Sequence, residues 1–350
     1  MTNGPDVRVL GSHRLVAPRS VVTGAGGFIG SHLVEALLAA GHQVVGIDSF
    51  TEYYDPATKR ANLAVAVLHP RFDLLPADLN ELDLGEVLRP RDWVFHLAAQ
   101  PGVRPSWGPG FTTYVRANIE ATQRLLEAAW DRRVARVVFA SSSSVYGDAP
   151  TPMDEEGPLR PISPYGVTKL TAEHLCLAYW RAFGLEVVPL RFFTVYGPRQ
   201  RPDMAFHRFI EAVLTGAPLT VYGDGGQRRD FTYVSDVVRI LLAAAERGRP
   251  GAPVNVGGGS AVSVNEALTL IERLVGRSAS VERLPAPPGD ARDTQAATER
   301  LRELEEPPRV GLEEGLESQV AWHLGRRGGA RPSITATGAR SPAGGGCRAR

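Results

Sequence analysis

Two hydrophobic rhythms alternate along the first half of the chain. Short valine-rich runs around Val21, Val44 and Val137 alternate with stretches whose apolar side chains recur every three or four residues, as in Phe28, Leu33, Val34, Leu37 and Leu38. The first rhythm is that of buried strands and the second that of one-faced helices. Strands are predicted near 20–23, 43–47, 72–76, 92–97 and 136–141, and helices near 28–40, 58–68 and 112–133, with a further candidate at 82–88. Strands joined by helical crossovers pair in parallel, so an α/β fold on a doubly wound sheet is expected.

Beyond a Pro- and Gly-rich loop at 147–164, a helix is predicted over 165–183 and a strand from Glu186 to Arg191. The alternation then becomes irregular: a helix at 204–215, short strands near 219–222 and 231–234, a helix at 236–247, a strand at 253–256 and a helix at 264–275. This reads as a main domain over 18–191, rejoined by a strand near 253–257, and a smaller mixed α/β C-terminal lobe over 192–324. A substrate cleft is expected between them. Residues 1–17 read as a flexible leader and 325–350, dominated by Arg, Gly, Ser, Pro and Ala, as a disordered tail.

Composition removes several function classes. In 350 residues, 39 Lys+Arg against 38 Asp+Glu leave a formal charge of +1, which gives no reason to expect nucleic acid or an acidic membrane as partner. Lysine occurs only at 59 and 169. Cys176 and Cys347 have neither disulfide nor metal-ligand spacing, so no metal is expected. No apolar run approaches the ~18 residues of a membrane span, and the N-terminus lacks a signal-peptide core. A cytoplasmic protein is expected.

The stretch Val21-Val22-Thr23-Gly24-Ala25-Gly26-Gly27-Phe28-Ile29-Gly30 is a strand, a glycine turn and the start of a helix. At such a junction the first helical N–H groups lack partners and the positive end of the helix dipole faces outward, so a pyrophosphate can rest on bare backbone. Asp48, the first acidic residue after the next apolar run, falls where a carboxylate would accept hydrogen bonds from an adenosine ribose. It favours NAD over NADP, because it repels a 2′-phosphate and no cationic residue follows before Lys59. A glycine turn that binds nothing is the competing reading of the turn alone.

Tyr165-Gly166-Val167-Thr168-Lys169 puts a phenol and an ammonium on one helical face, where the cation and a positive nicotinamide ring both favour phenolate. That is a base usable at neutral pH, against the alternative of an ordinary surface pair. Ser141-Ser142-Ser143-Ser144 follows a buried strand, where doubly wound folds place ligand contacts, although such a run is also a common polar loop.

Together these motifs resemble the extended short-chain dehydrogenase/reductase superfamily, specifically its NAD-dependent nucleotide-sugar epimerases and dehydratases, over about residues 19–323. The resemblance implies a Rossmann domain holding NAD, a lobe holding a nucleotide sugar, Tyr165 as base, Lys169 as its electrostatic and ribose-binding partner, and Ser142 as the hydroxyl on the reacting sugar oxygen. It further implies that Gly24, Gly27, Phe28, Ile29, Gly30, Asp48, Ser49 and Phe50 contact the cofactor. Asp78, Leu79, Leu97, Ala98, Ala99, Gln100, Asn118, Ala140 and Phe192 are implied on the same side. A homodimer is implied too, through helices at 112–133 and 165–183.

Dehydratases of this group carry an Asp-Glu pair after the catalytic hydroxyl, where Ser143 and Ser144 stand, and decarboxylases carry a glutamate at the position of Ser144. What remains is oxidation at C4, rotation of the 4-keto sugar and hydride return, which is 4-epimerisation of a UDP-sugar. The stretches Asp48 to Pro56 and Arg191 to Met204 resemble UDP-glucuronate 4-epimerases more than UDP-glucose 4-epimerases. Ser142, Ser143, Ser144 and Thr194 are then expected to bind the uronate carboxylate, and Thr194 as a simple turn cap is the alternative. The resemblance implies a diphosphate contact from Arg229, nucleotide contacts from Val221, Asp290 and Arg292, and further cationic candidates in Arg104 and Arg201. A one-way 4-ketoreductase or dehydrogenase, and a silent NAD-binding regulator, are the competing readings.

Overall fold

The computed structural model describes residues 18–286 and 288–328. Its strands are β1 (Arg19–Thr23), β2 (Gln43–Ile47), β3 (Phe72–Leu75), β4 (Trp93–His96), β5 (Arg136–Ser142) and β6 (Val187–Phe192). They continue with β7 (Thr194–Tyr196), β8 (Pro218–Tyr222), β9 (Arg228–Tyr233), β10 (Val254–Val256), β11 (Ala261–Ser263) and β12 (Ser280–Leu284). Seven form one sheet in the order β10-β6-β5-β4-β1-β2-β3, every pairing parallel. The order reverses beside β1, which is where an open α/β sheet leaves a crevice at its carboxyl edge. Small sheets β11-β9-β7 and β12-β8 make up the second layer system.

The helices are α1 (Phe28–Ala39), α2 (Pro56–Asn62), α3 (Leu84–Val87), α4 (Phe111–Tyr114), α5 (Ala121–Asp131) and α6 (Pro164–Phe183). Later come α7 (Ala205–Thr215), α8 (Val234–Arg247), α9 (Val264–Val275), α10 (Glu299–Leu304) and α11 (Leu312–Arg326). One face of the main sheet is covered by α1 and α8 around Leu33, Val34, Leu37, Val237 and Leu241, the other by α5 and α6 around Leu125, Leu126, Ala172 and Cys176. A third core, centred on Phe206, Phe209, Ile210, Ala267 and Leu316, belongs to the C-terminal part.

Helix α6 shows how local sequence sets the site. Ser163 caps it, its hydroxyl accepting from the Gly166 N–H at 3.1 Å, Pro164 occupies the first turn, and Gly184 ends it with φ of 71°. Tyr165 is thereby fixed in a first turn and Lys169 one turn later.

Several elements differ from expectation. The helix predicted over 58–68 begins earlier, because Asp55 caps the Ala57 N–H at 2.8 Å and Pro56 opens the turn, and it breaks after Asn62 into a short 3-10 turn at Ala66–Leu68. The helix predicted over 112–133 contains a π turn at Val115–Glu120 between α4 and α5. Strands β7, β11 and β12 and helices α10 and α11 have no counterpart in the sequence reading. Helix α11 carries the fold to Arg326, two residues into the stretch read as tail. The leader at 1–17 and the tail from 329 onward lie outside the described residues.

Candidate active site

Strand β1 ends in a turn that admits no side chains. Gly24 has φ of 71°, and its N–H and that of Ala25 donate to the Ile47 carbonyl at 2.8 and 3.2 Å. A Cβ on Gly30 would stand 2.1 Å from the Gly24 carbonyl oxygen, and one on Gly24 2.9 Å from the Ala98 nitrogen. Helix α1 starts at Gly27 with no side-chain cap, so its first N–H groups remain available to an anion. The Asp48 carboxylate accepts from the Gly26 N–H at 2.9 Å and the Phe50 N–H at 2.8 Å. It therefore holds the glycine turn and the next loop together while still facing the cleft. Lys59 also borders the cleft, but its ammonium donates to the Thr51 carbonyl at 2.8 Å and hydroxyl at 3.1 Å.

The turn opens one end of a cleft of about 1110 Å³. Its walls include the expected cofactor residues Gly24, Gly27, Phe28, Ile29, Gly30, Asp48, Ser49, Asp78, Leu79, Leu97, Ala98, Ala99, Gln100, Ala140 and Phe192. Two expected contacts do not reach it. Phe50 is buried beneath the Arg60 guanidinium, 4.3 Å from its ring centroid, and packs toward Gly26. Asn118 lies behind the wall: its Oδ1 accepts from the Gln100 N–H at 2.7 Å, and its amide donates to the Gln100 carbonyl at 3.1 Å and the Thr168 hydroxyl at 3.0 Å. It joins the loop after β4 to helix α6, and the π turn is what aims it there.

Ser142 ends β5 with its hydroxyl accepting from the Ser144 N–H at 3.1 Å. Ser142, Ser143, Ser144, Thr194, Tyr165 and Lys169 all line the cleft. Tyr165 is anchored through its N–H to the Ser106 hydroxyl at 3.1 Å, and its ring meets Tyr114 edge-on at 6.3 Å. Burial pushes the phenol above its ordinary value, against the opposing pull of the Ser142 hydroxyl and the Arg201 charge. Lys169, 3% exposed, is lowered to about 8 by burial, with Cys176 and Glu173 opposing. Its ammonium sits 4.6 Å from the centroid of the Phe139 ring. Arg201 thus joins Ser142 in opposing the rise of the phenol.

Across the cleft, Arg201 grips Asp203 through two bonds of 3.0 and 3.1 Å, and the Tyr53 hydroxyl donates to the same carboxylate at 3.2 Å. Arg104 pairs with Asp290 at 2.9 Å and stacks on Tyr222 at 4.0 Å. Arg229 donates to the carbonyls of Ala291 and Arg292, both at 2.7 Å, and burial lowers its pKa. Val221 completes this wall. Arg292, an expected nucleotide contact, turns outward to Asp224 at 3.3 Å and is absent from the lining. Tyr53, Asp203 and Tyr222 were not singled out by sequence, although Tyr53 and Asp203 lie within the two stretches that carried the uronate resemblance.

A parallel sheet with an uncapped helix start at its switch point, facing a buried Tyr-x-x-x-Lys helix, defines a dinucleotide-binding enzyme of the doubly wound α/β class. The chain belongs to the NAD dependent epimerase/dehydratase family, which matches residues 20–257. It is 46% identical over 307 residues to an uncharacterized UDP-glucose epimerase of Bacillus subtilis, covering 86% of this chain and 96% of that one. It is 36% identical over 313 residues to a UDP-glucuronate 4-epimerase of Thermodesulfobacterium geofontis, covering 86% and 95%. The solved structure of a Bacillus cereus UDP-glucuronic acid 4-epimerase in complex with UDP-glucuronic acid and NAD superposes with a TM-score of 0.84 at 43% identity, covering 87% and 98%.

Proposed function

We propose that the chain is an NAD-dependent 4-epimerase of a UDP-hexose that converts UDP-glucuronate to UDP-galacturonate. The observation that carries this is the row of neutral hydroxyls, Ser142, Ser143, Ser144 and Thr194, lining the cleft together with Tyr165. A dehydratase needs a carboxyl pair at 143 and 144. The names of the Thermodesulfobacterium and Bacillus cereus relatives support the uronate.

The cofactor fits the residues present: side-chain-free backbone at Gly24, Gly27 and Gly30, uncapped N–H groups at the start of α1, and a carboxylate at Asp48 for the ribose. When bound, NAD supplies a hydride acceptor that can return the hydride. Tyr165 as phenolate takes the proton from the sugar O4 while the C4–H bond yields its electron pair, leaving a 4-keto sugar. Ser142 holds that oxygen by hydrogen bond. After the sugar turns, Tyr165 gives the proton back and no net oxidation remains. A 4-ketouronate loses CO₂ when its carboxylate stands perpendicular to the ring carbonyl. Hydroxyls fixed in advance by β5 and β7 restrain that rotation. Residues 18–191 with β10 are taken as the cofactor-holding part and 192–324 as the sugar-nucleotide part.

Incubation of purified protein with UDP-glucuronate and no added NAD is expected to yield UDP-galacturonate, read by NMR. Neither UDP-galacturonate nor a UDP-pentose would sink the uronate reading. A second reading, 4-epimerisation of UDP-glucose, is favoured by the Bacillus subtilis relative, and the same assay with UDP-glucose decides it.

We infer a homodimer through the outer faces of α5 and α6. Trp130 and Phe183 are 44% and 52% exposed with ring centroids 4.8 Å apart, and Val167 is 44% exposed on the same helix as Phe183. Paired large apolar side chains in water mark an association surface. Sedimentation should show a dimer for the native chain and a monomer for Trp130→Glu/Phe183→Glu; an unaltered mass for the variant would refute this face. No helix among the described residues is long and apolar enough to cross a membrane. A cytoplasmic setting suits the reading, and the buried thiol of Cys176 has no disulfide partner among the described residues.

A further inference from the structure

We propose that Ser106 and Thr168 are positioning residues for the catalytic tyrosine, clamping its backbone from both sides so that its phenol keeps one place in the cleft. Tyr165 is the second residue of α6, and its N–H is one of the four that a helix start leaves without a partner. The Ser163 hydroxyl takes the Gly166 N–H, whereas the Tyr165 N–H donates to the Ser106 hydroxyl, 59 residues earlier in the chain, at 3.1 Å. Ser106 is wholly buried. Its own proton goes to the Val103 carbonyl at 2.6 Å, and a carbonyl only accepts, so a lone pair of the serine oxygen is left for the tyrosine amide.

The carbonyl of the same residue is held as well. The Thr168 hydroxyl donates to the Tyr165 carbonyl at 2.8 Å and accepts from the Asn118 amide at 3.0 Å. A threonine bonded to the carbonyl three residues back is common in helices and alone means little. Here the hydroxyl is wholly buried and is fixed from a second element by an asparagine that the π turn aims across. Gly166 completes the placement: a Cβ there would stand 2.5 Å from the Ser144 carbonyl oxygen, so the first turn of α6 rests directly on the serine loop.

Ser106 and Asn118 both belong to the segment between β4 and α5. Tyr114 braces that segment, its hydroxyl facing the carbonyls of Pro101 and Gly102 at 2.9 Å each and its ring meeting that of Tyr165. The stretch that walls the cofactor at Leu97 to Gln100 therefore also sets the base. Helix ends fray, and a small tilt of the first turn moves the distant phenol oxygen most. Misplacement by about 1 Å costs on the order of 100-fold in rate.

The inference rests on Tyr165 as the base and holds for either sugar. Turnover of UDP-glucuronate and of UDP-glucose is measured for the native chain, Thr168→Val, Thr168→Ser, Ser106→Ala and Tyr165→Phe. Thr168→Val nearly keeps the shape and loses the hydroxyl; Thr168→Ser keeps the hydroxyl and loses a methyl. Thr168→Val and Ser106→Ala are each expected to lower kcat by about 10- to 100-fold, with KM and bound NAD little changed, while Thr168→Ser retains most of the rate. A role in packing alone reverses the Thr168 order, because serine opens a void that valine fills. Hydrogen exchange reads the clamp without turnover: the Tyr165 amide should exchange faster in Ser106→Ala than in the native chain. Activity surviving in Tyr165→Phe defeats the base and the clamp together. An inactive Tyr165→Phe beside a fully active Thr168→Val, or unchanged exchange in Ser106→Ala, defeats the clamp alone.

Discussion

Tyr165→Phe removes turnover while leaving a folded chain that still carries NAD. Loss of a positioned proton-transfer group costs ~10²–10⁴-fold in rate. The anchors that place the residue do not use the phenol oxygen: its backbone N–H donates to Ser106 and its ring packs on Tyr114, both kept by phenylalanine. The expected result is a fall in kcat with KM for the UDP-sugar little changed, and native amounts of nucleotide released on heat denaturation. Because burial raises the free phenol and Arg201 opposes that rise, Arg201→Met should lower the rate further at neutral pH than at alkaline pH. Unaltered activity in Tyr165→Phe would strip the tyrosine of its role.

The second large effect is on stability. Arg191, 2% exposed, donates to both oxygens of Glu173, at 2.6 Å from Nη2 and 3.1 and 3.2 Å from Nε. It also donates to the Tyr146 hydroxyl at 2.8 Å and the Glu155 carbonyl at 3.1 Å. Burial works against its charge, yet the Glu173 carboxylate raises its pKa above the ordinary arginine value. Removing one member of such a pair strands the other and costs ~3–5 kcal/mol, whereas removing both is far cheaper. Arg191→Met is expected to lower the unfolding free energy measured by urea denaturation by that margin, and Arg191→Met/Glu173→Leu to recover much of it. A single variant costing under ~1 kcal/mol would show that the network contributes little.

The fold was legible wherever the chain kept one rhythm per element. Strands β1, β2, β5 and β6 are apolar on both faces and bounded by glycine or helix signals, so their positions could be read directly. Strand β12 could not, because all five of its residues are exposed and it alternates nothing. Helix α11 was hidden by two glycines and by the arginines that follow it, and is held by contacts to α7 and α9 that no local pattern reveals. The glycine turn and the tyrosine–lysine helix were readable because their chemistry needs fixed spacing. The contact of Tyr53 with Asp203, and the indirect position of Asn118, depend on segments 18 to 150 residues apart and so appear only in three dimensions.

Strand β10 has a topological consequence. The chain leaves the main sheet after β6, builds β7, α7, β8 and β9, returns to lie against β6 with Val254 opposite Leu190 and Val256 opposite Phe192, and leaves again for β11, α9, β12 and α11. The C-terminal part is therefore joined to the main sheet through crossings on both sides of β10 rather than by a single linker. A chain ended at 191 would lack β10, the outermost strand of the main sheet, and leave the β6 edge unpaired.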